Sequence, residues 1–79
     1  MNAQHIGRMI RFHRRKSGLT QGELGKLAGL GKTVVFDVEK GKSSIRLSTL
    51  LKLLFVLNIQ ITFQSPLMSL CEKEIDEKS

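Results

Sequence analysis

The sequence predicts a mainly helical fold, four to five short helices followed by one strand near the C-terminus. Three observations carry that expectation. Apolar residues recur at helical spacing in successive short stretches as far as Leu57. Glycines and capping residues stand at the breaks between those stretches. The period then switches to strict alternation in Ile59-Gln60-Ile61-Thr62-Phe63-Gln64, the pattern of a half-buried strand. On this organisation residues 1–58 form a helical domain, 59–64 a strand and 65–79 a mobile acidic tail.

The first helix is expected from about Ala3 to Lys16, with Ile6, Met9, Ile10 and His13 on one face. His13 reads as a partly buried packing residue. Ser17-Gly18 ends this helix. Thr20-Gln21-Gly22-Glu23 has the spacing of a capping box, in which the threonine hydroxyl and the glutamate carboxylate each satisfy a backbone N–H. It opens a second helix with Leu24, Leu27 and Ala28 inward, ended by Gly29. A third helix runs from about Lys32 to Lys40, with Val35 and Val38 inward and Gly41 after it. Its N-cap, Gly31, offers no side-chain acceptor. Leu47, Leu50, Leu51, Leu54 and Leu57 define a fourth helix with a wide apolar face.

The strand residues Ile59, Ile61 and Phe63 have no second strand within the chain to pair with. An unpaired edge is unfavourable, so the expectation is pairing with the same strand of a second subunit across a two-fold axis. The rival is a short extended segment laid on the helices. Dimerisation also suits a chain of 79 residues that has one cysteine, Cys71, and so no internal disulfide. Two histidines and one cysteine do not make a metal site, and no cofactor is expected. The unpaired thiol, with no secretory signal, points to the cytoplasm. Residues 47–63 are apolar but too short for a membrane span, and Lys52, Asn58 and Gln60 interrupt them.

Charge narrows the partners. Residues 1–71 carry eleven Lys or Arg against three acids, a balance of +8, while the last eight residues carry −2. A basic body suits a polyanion, although many basic proteins are so only for solubility. An enzyme is not expected. Neither His5 nor His13 has a partner placed for catalysis, and Gly29-Leu30-Gly31-Lys32 is a turn with a cap, not a nucleotide loop.

The second and third helices, separated by about three residues with Gly29 at the turn, make a helix-turn-helix. Gly25 supplies the small residue where the two helices cross. Here the chain resembles the Xre/Cro/C1-type (lambda-repressor-like) helix-turn-helix family. The residues that carry the resemblance are Gly18-Leu19-Thr20-Gln21, Leu24, Leu27-Ala28, Val34-Val35, Val38-Glu39-Lys40-Gly41-Lys42 and Leu47-Ser48-Thr49-Leu50-Leu51-Lys52-Leu53. A domain of this type followed directly by a dimerising strand is most similar to the HipB-type antitoxins. That resemblance implies a DNA-binding repressor of its own toxin–antitoxin operon, a homodimer on a palindromic operator, and a HipA-like kinase toxin as partner. The toxin would take a surface away from DNA, with the acidic tail and the flank of the first helix as candidates. Three residues depart from the family pattern: Gly25 where alanine is usual, at a helix-propensity cost of about 1 kcal/mol, Gly31 in place of a Ser or Thr cap, and Phe36 in place of a polar residue.

The resemblance places the front of the third helix in the major groove. Lys32, Thr33, Phe36 and Asp37 are then the base-contacting candidates. Lysine can donate to guanine, and threonine and phenylalanine can pack on a thymine methyl. Asp37 either accepts from cytosine or repels phosphate, and Phe36 either meets a base or makes a packing or subunit contact. Gln21, Lys40 and Lys42 are the phosphate candidates. Arg14 and Glu39 match positions that pair in relatives and are expected to be a structural ion pair. Arg8, Arg11 and Arg15 add diffuse attraction or merely form a solvated face. Two other functions stay open: a stand-alone or phage-type repressor, and a protein-interaction module that inhibits a partner without DNA.

Overall fold

A computed structural model describes residues 1–78 as five helices, α1 (Ala3–Lys16), α2 (Gln21–Ala28), α3 (Lys32–Glu39), α4 (Leu47–Val56) and α5 (Met68–Lys78). Local chemistry sets the starts. The Asn2 side chain accepts from the His5 N–H at 2.8 Å and caps α1. At α2 the Glu23 N–H donates to Thr20 Oγ1 at 3.1 Å, while the Thr20 N–H donates to Glu23 Oε1 at 2.9 Å. Hydrogen bonding to the carboxylate, from the Thr20 backbone N–H first and from the Thr20 side chain second, holds the Glu23 carboxyl below its ordinary value. α3 begins at Gly31 with no side-chain cap.

The first four helices end alike. A residue with positive φ follows each one: Gly18, Gly29, Gly41 and Asn58. After it, the next N–H folds back to a carbonyl five residues earlier, as in Ile59 N–H to Leu54 O at 2.9 Å and Lys42 N–H to Asp37 O at 3.1 Å. Asn58 does with an amide side chain what glycine does at the other three. This termination at Asn58 separates α4 from the segment beyond it.

The buried core is Ile10 from α1, Leu24 from α2, Val35 and Val38 from α3, and Leu53, Leu54 and Leu57 in and after α4. Two glycines allow the helices to close. A Cβ on Gly25 would stand 2.6 Å from the Leu30 carbonyl oxygen, so the α2–α3 turn crosses directly over this position. A Cβ on Gly7 would overlap the Val38 carbonyl and lie 2.8 Å from the Glu39 carbonyl oxygen, so α1 packs on the end of α3 by backbone contact. His13 is half-buried, its Nδ1 2.7 Å from the Met9 carbonyl oxygen.

Several expectations are corrected. Residues 59–65 form no strand. A strand is defined by a row of hydrogen bonds to a neighbour, and the single chain offers no neighbour there. Ile59 packs against the core, whereas Ile61 and Phe63 are exposed, so these three do not share one buried face. Within the expected acidic tail, residues 68–78 form the helix α5, whose side chains as far as Glu77 are exposed apart from the half-buried Met68. Ser79 lies outside the described residues. Leu27 is exposed, not inward, and Leu47 and Leu51 on the apolar face of α4 are exposed as well. Among the described residues no helix is long and apolar enough to cross a membrane, and no group of three His, Cys, Asp or Glu could hold a metal.

Candidate nucleic-acid interface

The geometry of the helix-turn-helix is fixed by one ion-pair cluster that joins three helices. Arg14 of α1 donates from Nε to Glu39 Oε2 at 2.6 Å and from Nη2 to Glu39 Oε1 at 2.9 Å. Its remaining Nη1 donates to the Leu19 carbonyl at 2.9 Å. Gln21 Nε2, at the start of α2, donates to Glu39 Oε1 at 3.2 Å. The two charged side chains retain only 11% and 3% of their accessible area, so the pair is withdrawn from water. The Glu39 hydrogen bond pushes the Arg14 pKa upward, against the opposing effect of burial. A planar guanidinium with its fork filled is a fixed bracket, and here it ties the end of α3 to α1 and to the front of α2.

What the bracket leaves free is the front of α3. Lys32 and Thr33 are exposed in its first turn. Phe36 stands one turn later on the exposed side, with the Lys40 ammonium 5.6 Å from its ring centroid. Lys32 shares a concave surface with Arg14, Arg15, Thr20 and Gln21, so the fronts of α2 and α3 lie side by side. Phe36 and Lys40 line a second concavity with Arg11 and Gln21.

Two candidates are engaged with one another. Lys42 Nζ lies 3.6 Å from Asp37 Oδ2, with side chains 54% and 32% exposed. An exposed pair of this kind contributes about 0–1 kcal/mol, so a phosphate can displace Asp37 from Lys42 at small cost. Gln21 is also committed, since its amide donates to Glu39. Its backbone N–H, in the first turn of α2, has no intrahelical carbonyl to meet and remains for an anion.

The sequence assigns Arg11 and Arg15 only a diffuse attraction or a solvated face, yet they line the two concavities beside α3. The available signal is their spacing: each lies within four residues of Arg14 on α1, three before and one after.

With this geometry in place, similarity to known proteins becomes informative. A helix-turn-helix family model matches residues 10–64, which span α1 from Ile10 through α4 and on to Gln64. The chain is also 33% identical over 61 residues to a protein of Sinorhizobium fredii described as an uncharacterised HTH-type transcriptional regulator. That similarity covers 77% of this chain and 80% of the relative.

Proposed function

The chain belongs to the Xre/Cro/C1-like helix-turn-helix family of DNA-binding transcriptional regulators, and from that premise we propose that it is a dimeric repressor of a palindromic operator. The observation that carries this reading is the exposed front of α3, with Lys32 and Thr33 outermost and the far end of the helix braced by Arg14, Glu39 and Gln21. Lys32, Thr33 and Phe36 meet base edges in the major groove. The N–H groups at the front of α2, together with Lys40 and Lys42, hold the flanking phosphates. Asp37 serves mainly to position Lys42, at 3.6 Å in the unbound protein. Two copies reach half-sites about one helical turn (~34 Å) apart on one face of the duplex.

The second copy also answers the unpaired 59–64 segment. Its alternation of apolar and polar residues suits pairing with its twin, and Ile61 and Phe63 are exposed in the single chain. A short DNA-binding domain followed at once by such a segment favours the HipB-like antitoxin reading, with a HipA-like kinase toxin as partner.

The test begins with duplexes selected from a random library by the purified protein, followed by footprinting. Lys32→Ala or Thr33→Ala is expected to lower affinity for the selected site by ~1–3 kcal/mol per site and relax preference at particular base pairs. Lys42→Ala is expected to weaken all sequences alike and to make the salt dependence shallower by about 1 per subunit. Failure to select any sequence overturns the repressor reading. Co-purification with the neighbouring gene product, lost when that gene is deleted, tests the toxin partner.

A further inference from the structure

We propose that the outer face of α1 is a second DNA-binding surface, which grips the phosphodiester backbone flanking the bases that α3 reads. The proposal rests on the DNA-binding reading above and extends its footprint. Arg8, Arg11, Phe12, Arg15 and Lys16 recur at i, i+3, i+4, i+7 and i+8, so they form one stripe on α1 and line one shallow concavity. The helix has no acidic residue along its 14 positions. None of these four cations has an acidic partner among the described residues, where the charges of Arg14 and Lys42 are the ones matched by ion pairs.

Phe12 stands at the centre of the stripe and is 58% exposed. The Lys16 ammonium lies 5.7 Å from its ring centroid, and the His13 ring meets it edge-on at 5.6 Å between centroids. An aromatic held this way keeps Lys16 along the stripe and gives an apolar surface for a deoxyribose between two phosphates.

Continuity selects duplex DNA as the occupant. Arg11 belongs both to this stripe and to the concavity that holds Phe36 and Lys40. Arg15 belongs both to the stripe and to the concavity that holds Lys32 and Gln21. A phosphate strand seated at the front of α2 therefore runs on to α1 past Arg15 and Arg11, and Glu39, the acid that lines this path, is paired with Arg14 and only 3% exposed. Arg8 and Lys16 line neither α3 concavity, so their effect is separable from base reading.

The experiment uses the full chain and the duplex selected by the wild type, made with no flanking pairs or with eight added on each side. Affinity is measured by fluorescence anisotropy between 50 and 200 mM NaCl. Wild type is expected to bind the long duplex more tightly than the short one. The variant Arg8→Gln/Lys16→Gln is expected to match wild type on the short duplex, to melt at the same temperature, and to lose the gain from the flanks. Removing two phosphate-binding cations from each of two subunits makes log K against log salt shallower by up to about 3.6, so a fourfold salt increase weakens wild type about a hundredfold more than the variant. Equal wild-type affinity for long and short duplexes overturns the proposal and leaves the repressor reading intact. A variant that keeps the flank dependence but fails to co-purify with a protein partner also overturns it, and assigns the stripe to that partner. If wild type selects no sequence at all, both readings fall.

Discussion

Removing the Glu39 carboxylate should unfold this domain more readily than any other single polar deletion. In Glu39→Ala, Arg14 loses two charge-assisted hydrogen bonds, at 2.6 and 2.9 Å, and Gln21 loses its acceptor at 3.2 Å. The guanidinium keeps only 11% of its accessible area, so water cannot fully replace what is removed. Breaking a buried ion pair from one side costs about 3–5 kcal/mol, and a site at the edge of a small domain falls near the lower end. A domain of 79 residues has a total stability of about 4–12 kcal/mol, so ~3 kcal/mol is a quarter to three-quarters of it. The melting temperature should fall by roughly 12–24 °C. The assay is urea and thermal unfolding followed by circular dichroism, completed as a cycle with Arg14→Met and Arg14→Met/Glu39→Ala. The double variant removes both charges and should recover about 2 kcal/mol relative to the sum of the singles. A loss below about 0.5 kcal/mol in Glu39→Ala, or a coupling near zero, refutes the bracket.

Three other outcomes depend on particular contacts. Gly7→Ala forces a Cβ into the Val38 carbonyl, backbone that cannot rotate away, and should cost about 2 kcal/mol by thermal melt. Gly22→Ala meets nothing nearer than Thr20 Oγ1 at 3.9 Å and should instead stabilise by about 0.5 kcal/mol, so equal effects at both positions would refute the packing argument. Glu23 has a folded-state pKa below its ordinary 4.5 because Thr20 donates to its carboxylate, so its contribution is present above that ordinary value and lost as pH falls through the lowered one. The melting-temperature gap between wild type and Glu23→Gln should therefore be constant from pH 6 to 8 and narrow on acidification; a gap that widens would reverse the sign. For the two-fold pair, sedimentation equilibrium should give twice the chain mass, and Phe63→Glu, which charges a side chain 76% exposed in the single chain, should shift it to monomer without lowering its helicity.

How much of the fold and site is legible in the sequence depends on how far each cause lies along the chain. Helix starts and stops are local: Thr20 and Glu23 are three residues apart, and a residue with left-handed backbone acts on the turn just before it. Apolar periodicity shows which face of a helix is apolar but not whether anything covers it, so Leu27 reads as inward from the sequence and is exposed, as are Leu47 and Leu51 on the apolar face of α4. Alternation at 59–64 describes how a segment would pair, and its partner must come from elsewhere. α5 escapes because its apolar residues, Met68, Leu70, Cys71 and Ile75, are followed by a run of charges and hold no wide face. Gly25 carries a subtler lesson. Propensity alone says that alanine would be better there, yet the Leu30 carbonyl has closed to within 2.6 Å of where a Cβ would stand. In the candidate site, the positions of Lys32 and Thr33 follow from the helix start, whereas the commitment of Gln21 to Glu39 and of Asp37 to Lys42 needs the folded chain.

The distribution of surface chemistry ties stability to DNA reading. The side formed by α1, the front of α2 and α3 presents cations around Lys32 and Phe36. The concavity formed by Leu27, Ala28, Leu51, Phe55 and Val56, with Lys52 beside them, presents mainly apolar side chains and shares no residue with those surfaces. A small core leaves this apolar face in water, and contiguous exposed apolar surface of this kind is what a symmetric partner buries. In the proposed dimer, covering it would leave both α3 helices free. The same proposed association would supply the missing burial and the second reading head, so folding stability and operator affinity should rise together with protein concentration. A monomer with one short recognition helix would have neither the contacts nor the register to choose one site among many.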